Sequence, residues 1–331
     1  MDIVTSSSSL PIIDIGPLRK QPSLLDPQDL EVEKVIKQLD LACKEMGFFY
    51  VKNHGVSDDL MKEILYASHE FFSLDDDEKA RIKMTSSTGF RGYQKLGLNV
   101  TQGHPDQHEA IDFFKEFELQ DPAALLAKPL MAPNQWPAHP KGFQPLFEQY
   151  IVEMTDLARS IMQGIALALG GPCDAFEGKR AGNPFWILRV IGYPPKIDLP
   201  GSDKDQEPEA GCAAHTDYGL LTLVNQDADV TALQVKNRDG EWLWVEPVAG
   251  AFVVNIGDML KIWSNGIYPS TLHRVMNQSK YRVSVPFFYE PNFNAYVEPL
   301  EFCIPGAGDN STCVPVIYGK HVVTKVLTNF G

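Results

Sequence analysis

"CAAHTDYGLL", residues 212–221, decides how this chain is read. His215 and Asp217 stand two positions apart in a segment that is otherwise small or apolar. On an extended strand, residues i and i+2 project from the same face, so an imidazole and a carboxylate would point together. The same H-x-D pattern recurs at His104 to Asp106, but "TQGHPDQHE" carries Gly and Pro around the pair and no strand pattern. That second copy therefore reads as loop surface.

Composition narrows the possibilities. The chain has 331 residues, 44% hydrophobic and 22% charged, which is globular usage and enough for one large domain or about two. A net charge of −14 offers no field for phosphate backbones or anionic lipid, so neither nucleic acid nor membrane is an expected partner. Five cysteines, odd in number and without C-x-x-C spacing, suggest reduced thiols and a cytoplasmic setting. There is no signal-peptide pattern and no apolar run of about 18 residues. A monomer is expected.

Working outward, "PIIDI" reads as a strand, "DLEVEKVIKQLDLACKEMG" as a helix closed by Gly47, "FFYVK" as a strand, and "DDLMKEILYASHEFFSL" as a helix capped by Ser57. From about Thr85 to Pro140 periodicity weakens, and long loops are expected. The segments "TSSTGFRGYQKLG" and "LMAPNQWPAHPKG" are expected to be mobile walls over the site. The longest helix spans about Phe143 to Leu169. After Asn183 come short β-branched and aromatic runs without βαβ alternation, which predict a jelly-roll core. The fold class expected is α+β, a double-stranded β-helix flanked by helices with a mixed N-terminal region. Regions are drawn at 8–120, 121–182, 183–291 and 292–331.

A metal site needs a third ligand, and "PSTLHRV" places His273 in a strand-like run 56 residues after Asp217. Two histidines and one carboxylate on one side of a metal leave the other positions open, as in non-haem Fe(II) oxygenases, although zinc accepts the same ligands and buried histidines can be structural. Nine residues beyond His273, "YRVSVPFFYE" sets Arg282 and Ser284 on one strand face. A guanidinium fork beside a hydroxyl suits a carboxylate.

H-x-D, a distant H, then R-x-S resembles the plant-type 2-oxoglutarate/Fe(II)-dependent dioxygenases of the isopenicillin N synthase-like superfamily. "LPIIDI", "ACKEMGFFYVKNHGV", "AAHTDYGLLTLV", "VVNIGDML" and "SNGIYPSTLHRV" extend the likeness over almost the whole chain. The resemblance implies Fe(II) held by His215, Asp217 and His273, 2-oxoglutarate held by Arg282 and Ser284, and Tyr193 of "VIGYPP" beside the same co-substrate. Ascorbate is a reductant the family can use. The family's usual asparagine and first tyrosine before that tyrosine are replaced by Ile191 and Gly192. The implied activity is oxidation, foremost hydroxylation, of a small metabolite or hormone by dioxygen, with release of succinate and CO2.

Similar proteins place Tyr93, His108, Phe113, Phe185, Arg189, Phe288 and Glu290 on pocket-lining segments, so these are the candidates for substrate contact. Arg189 shares strand parity with Tyr193 and could meet an acidic or phenolic substrate. Two other readings remain open at this stage. One is a related iron oxidase independent of 2-oxoglutarate, and the other is a non-catalytic binding protein that retains the triad.

Overall fold

Alternate residues of the central strands serve two different cores. Phe49 and Val51 join the core beneath the helices, whereas Phe48 and Tyr50 join the core between two sheets. Phe252, Val254 and Ile256 part from Val253 in the same way. A period of two with both faces apolar is what a sheet covered on both sides requires. The computed structural model describes residues 9–20, 25–101, 104–118, 121, 123–196, 210–304 and 313–330.

The N-terminal part is mixed, as its patterning predicts. β1 (Ile12–Asp14) leads through α1 (Gly16–Arg19) to α2 (Leu30–Glu45), whose first turn is capped by the Asp29 side chain accepting from the Glu31 amide. Gly47, at φ +68°, ends α2 where an L side chain would be strained. β2 (Phe48–Lys52) pairs parallel to β1. α3 (Asp58–Phe72), capped by Ser57, and α4 (Asp76–Lys79) follow.

The stretch from Thr85 to Pro140 departs from the loop expectation. It contributes β3 (Gly92–Gln94), the β4 (Val100–Thr101) and β5 (His104–Pro105) hairpin, β6 (Glu109–Phe114) and α5 (Ala124–Ala127). β6 is an interior strand of the larger sheet. Its sequence hides this because Glu109 and Asp112 interrupt the apolar pattern, and Asp112 faces a polar cavity rather than a core. The two segments expected as walls over the site lie away from the cavity. The fully buried Arg91 donates to Asn134 Oδ1, to the Leu130 carbonyl and to the Lys115 carbonyl. Trp136 stacks on Phe113 with ring centroids 4.1 Å apart. Both segments are thereby tied to the sheet, with no residue on the cavity wall described below.

α6 (Phe143–Ala168) is the long helix predicted from its stripe: Phe147, Met154, Leu157, Ile161 and Ile165 are fully buried. It lies against α2 and across the larger sheet. Gly164 permits the close approach, since a Cβ there would meet Leu18 and Leu39 at 2.7 and 2.8 Å. Truncating Phe147 to alanine would cost about 3–5 kcal/mol through lost burial and the cavity left behind.

The remaining elements complete the β core: β7 (Trp186–Tyr193), β8 (Ala210–His215), β9 (Leu221–Gln226), β10 (Leu233–Lys236), β11 (Trp242–Val245), β12 (Phe252–Ile256), α7 (Asp258–Trp263), β13 (His273–Met276) and β14 (Arg282–Tyr289). β15 (Tyr296–Val297) and β16 (Val316–Ile317) form a small pair, and α8 (Tyr318–Phe330) closes the chain. The larger sheet runs β1-β2-β12-β9-β14-β7-β6-β3, and the smaller runs β11-β10-β13-β8. Facing each other across an apolar layer that includes Ile191, Leu233, Val235, Val253 and Val275, they make the expected jelly roll. Among the described residues no helix is long and apolar enough to cross a membrane.

Candidate metal centre and its cavity

β8 and β13 are antiparallel neighbours in the smaller sheet, and their register sets His215 directly opposite His273. The two rings are 4.3 Å apart between centroids. Asp217 follows β8 in the turn, with Oδ1 3.6 Å from His215 Nε2 and 3.5 Å from His273 Nε2. One donor atom from each residue lies within 4.8 Å of the others. This constellation, foreseen in the sequence, can hold a metal ion.

Hydrogen bonds around the three side chains orient their lone pairs. His215 Nδ1 lies 2.8 Å from the Ala213 carbonyl, and His273 Nδ1 lies 3.0 Å from the Thr271 carbonyl. A ring nitrogen facing a carbonyl must be the N–H donor, which leaves both Nε2 lone pairs turned to the shared point. Asp217 Oδ2 accepts from Thr222 Oγ1 and from Asn255 Nδ2, the latter at 2.6 Å, so Oδ1 remains for a cation. Burial opposes ionisation of Asp217, but the two imidazoles hold it well below the usual carboxylate range. His215 is likewise opposed by burial, yet Cys212 and Asp217 raise it well above the ordinary histidine value, so with no cation at the shared point Nε2 holds a proton that a metal ion would displace. The site is built for positive charge at its centre.

On the larger sheet, Arg282 is paired with Tyr193 and Ser284 with Ile191. The guanidinium carbon sits 5.0 Å from the Tyr193 ring centre, and Nη2 donates to Gln226 Oε1 at 2.8 Å. Arg282 is buried, and its Nε and Nη1 have no hydrogen-bond partner. Two orphaned donors on a buried cation fit the carboxylate of a keto acid, which would satisfy both. The departure at Ile191 and Gly192 now has a physical account. A Cβ at Gly192 would collide with the Tyr281 hydroxyl, and that hydroxyl donates to Glu109 Oε1. Tyr281 occupies the space a side chain at 192 would need, while Ile191 packs between the sheets.

A cavity of about 360 Å³ opens beside the triad, within the range of small-molecule sites. Arg189, Phe288 and Glu290, read from the sequence as candidates, lie on its wall. Tyr93, Phe113 and Phe185 lie elsewhere. Tyr93 donates to Glu109 Oε2 at 2.6 Å, Phe113 stacks on Trp136, and Phe185 stacks on Phe117 at 5.5 Å and packs against Phe293. The reason for Phe113 is parity: on β6 it is Asp112 and Phe114 that face the cavity. His108 sits behind the wall, its Nδ1 donating to the Gly211 carbonyl at 2.7 Å while Nε2 accepts from Asn99 at 3.0 Å. Chiefly through burial, its pKa falls to about 3.

Two other expectations change. Arg189 is not free for an acidic ligand, because Asp112 Oδ1 pairs with its Nε at 3.2 Å. Asp106 is not loop surface: it is buried, lines the cavity and accepts from the Ala213 amide at 3.1 Å. The β4–β5 hairpin delivers it there, a pairing too short to leave a periodic signal. The side chain of its companion His104 lies outside the described residues. The sequence reading also misses Asn99, Asp112, Asp258 and the α8 residues Val322, Lys325 and Val326, all of which line the cavity. Only α8 leaves a trace, the i, i+4 spacing of Val322 and Val326.

Residues 10–139 match the family model described as non-haem dioxygenase in morphine synthesis N-terminal, and residues 184–291 match the 2OG-Fe(II) oxygenase superfamily. The chain is 54% identical over 326 residues to "Homoarginine-6-hydroxylase 2-ODD-233" of Oryza sativa subsp. japonica, covering 97% of this chain and 98% of that one. It is 54% identical over 332 residues to "Homoarginine-6-hydroxylase 2-ODD-C23" of Glycine max, covering 99% of each. Among solved structures, a full-length Neurospora crassa protein crystallised in complex with alpha-KG superposes with a TM-score of 0.82 at 26% identity, covering 98% of both chains. JOX2 in complex with 2OG, Fe and JA gives 0.76 at 29% identity, over 96% of this chain and 84% of that one.

Proposed function

The chain belongs to the 2OG-Fe(II) oxygenase superfamily, and on that premise we propose that it hydroxylates homoarginine at position 6. It is a 2-oxoglutarate- and Fe(II)-dependent enzyme acting on a small metabolite. Bound together, Fe(II) and 2-oxoglutarate supply the oxidising power: the keto acid loses CO2, one atom of dioxygen enters succinate, and the other enters a substrate C–H bond.

The residues divide this work. His215, Asp217 and His273 would hold the iron. Thr222 and Asn255 keep Asp217 presenting a single oxygen. Arg282 receives the far carboxylate of 2-oxoglutarate with Ser284 beside it, and Tyr193 covers the guanidinium. The observation that carries this reading is the pair of unpartnered donors on buried Arg282, across the jelly roll from the triad. Removing so costly a defect is what a bound dicarboxylate would accomplish. The choice of homoarginine is supported by end-to-end similarity to homoarginine-6-hydroxylases and by an acidic cavity that suits a guanidinium.

The test is direct. Purified protein with Fe(II), 2-oxoglutarate and homoarginine should release one succinate per homoarginine oxidised at C6, read as the C6-hydroxylated hemiaminal or as the guanidine and aldehyde into which it collapses. Succinate release that homoarginine does not stimulate would overturn the substrate assignment.

A further inference from the structure

The cavity beside the triad is acidic, and its acids are not equivalent. Asp217 belongs to the triad, and Asp112 is paired with Arg189 at 3.2 Å. Asp258 accepts from Ser270 at 2.6 Å and Thr216 at 3.3 Å, and Asp106 accepts from the Ala213 amide. Glu290 is different. It is 2% exposed, it lines the cavity, and its Oε2 has no hydrogen-bond partner.

Its position is fixed from three sides. The Glu290 amide donates to the Phe185 carbonyl at 3.0 Å, which anchors the backbone just beyond β14. The carboxylate packs on Gly219 so closely that a Cβ there would collide with Oε2. Tyr318, the first residue of α8, is buried beside it, and its hydroxyl is the polar group that faces the Glu290 carboxyl. Burial raises the Glu290 carboxyl to about 8, so the ligand-free site holds a neutral acid, and a cationic N–H donor seated against Oε2 would ionise it and satisfy that oxygen.

A second orphan on the same wall has the same sense. Asn99 is buried, its amide nitrogen is directed to His108 Nε2, and its Oδ1 has no partner. Apart from the Asp112–Arg189 ion pair, the unpartnered buried side-chain atoms of the described cavity wall are therefore both acceptors. A ligand that satisfies them must be rich in N–H donors, and a guanidinium carries five. Lys325, held 5.2 Å from the Tyr218 ring centre, leaves a cation on the α8 wall for the carboxylate end of an amino acid.

We infer, resting on the homoarginine reading above, that Glu290 is the residue that selects the cationic end of the substrate, with Asn99 Oδ1 as its second acceptor. Because Gly219 follows Asp217 by two residues, a guanidinium held at Glu290 brings its neighbouring carbon toward the triad. Glu290 thus binds the substrate and places the carbon to be oxidised.

The experiment is anaerobic binding to the Fe(II)/2-oxoglutarate-loaded enzyme, followed by the perturbation of its visible charge-transfer band. The probes are homoarginine, its neutral urea analogue homocitrulline, and agmatine. Wild type should favour homoarginine over homocitrulline by roughly tenfold or more. Glu290→Gln should bind homoarginine roughly ten- to a hundredfold more weakly while binding Fe(II) and 2-oxoglutarate as before, and should no longer discriminate against homocitrulline. Equal wild-type affinity for the charged and neutral analogues overturns the inference, and that measurement needs no variant to fold. A Glu290→Gln protein that binds homoarginine like wild type also overturns it, and leaves the homoarginine reading standing. If wild type ignores homoarginine but binds agmatine, and Glu290→Gln loses agmatine, the reading of the substrate falls while Glu290 as the cation selector stands.

Discussion

His215 and His273, 58 residues apart in sequence, are direct partners across the antiparallel β8–β13 ladder, with their rings 4.3 Å apart. Their separation is therefore set by strand pairing rather than by a loop. Strand ladders hold such distances to a few tenths of an ångström, which is the precision a metal site needs. The third member, Asp217, comes from the turn after β8, and its carbonyl accepts from the Asp258 amide at 2.8 Å.

Asp217 depends on its neighbours for direction. Asn255 donates to Oδ2 at 2.6 Å, and without it the carboxylate can rotate away from the metal position. Asn255→Ala should lower Fe(II) affinity roughly ten- to a hundredfold, the usual cost of removing an outer hydrogen bond from a metal ligand. Thr222→Val should act in the same direction. Fe(II) titration of the apo variants checks this, and unchanged affinity in both would exclude the orienting role.

Asp106 anchors the strand that carries His215 through the Ala213 amide. Asp106→Asn keeps an acceptor there and should retain iron binding. Asp106→Ala removes it, leaves a partly buried amide without that partner, and should weaken iron binding by several-fold. Measured iron stoichiometry at limiting Fe(II) separates the two variants.

His108 is neutral in the fold, with its pKa lowered to about 3 by burial first and by Arg189 second. In the unfolded chain it titrates near 6.5. Its contribution to stability is therefore complete above pH 6.5 and is lost as pH falls toward 3, by up to about 1.4 kcal/mol per pH unit. Denaturant unfolding of wild type and His108→Asn between pH 7 and 5 should show a shallower acid slope in the variant. Parallel slopes would contradict the buried neutral state.

On the proposed role of Arg282, Arg282→Gln would remove a charge-assisted pair from the co-substrate while leaving the triad intact. The KM for 2-oxoglutarate should rise roughly ten- to a hundredfold, with a much smaller change for the organic substrate. Arg282→Lys should recover only part of the loss, because a point charge cannot replace the planar fork. If only the organic substrate's KM moved, the guanidinium would belong to that substrate instead.

His215, His273, Arg282 and Ser284 were legible because they lie on strands, whereas Asp217 lies in the turn just past the end of β8 and not on the strand face that its i+2 spacing suggests. Helices α2, α3 and α6 were legible from their stripes and caps. The substrate wall was not. Asp112 sits on a strand whose polar residues face a cavity, so the alternation that reveals a strand is missing at the place where it matters. Phe113 beside it is apolar and therefore conspicuous, yet it points into the helix-side core. Asp106 and Asn99 reach the cavity through a hairpin of two-residue strands, and α8 folds back from the end of the chain. Such approaches are set by tertiary packing, and no local pattern encodes them. Arg189 shows the complementary limit: parity gave its direction, but its neutralising partner Asp112 lies on a neighbouring strand.

Anaerobic titration of the metal-free protein with Fe(II) and then 2-oxoglutarate reports on the assembled site itself, because the metal-to-keto-acid charge-transfer band forms only when both bind together at one centre. A visible band saturating at one Fe(II) and one 2-oxoglutarate per chain is expected, absent in Asp217→Ala and displaced to higher 2-oxoglutarate concentration in Arg282→Gln. Saturation of the protein with Fe(II) and no band at any 2-oxoglutarate concentration, or an undiminished band in Asp217→Ala, would contradict the account.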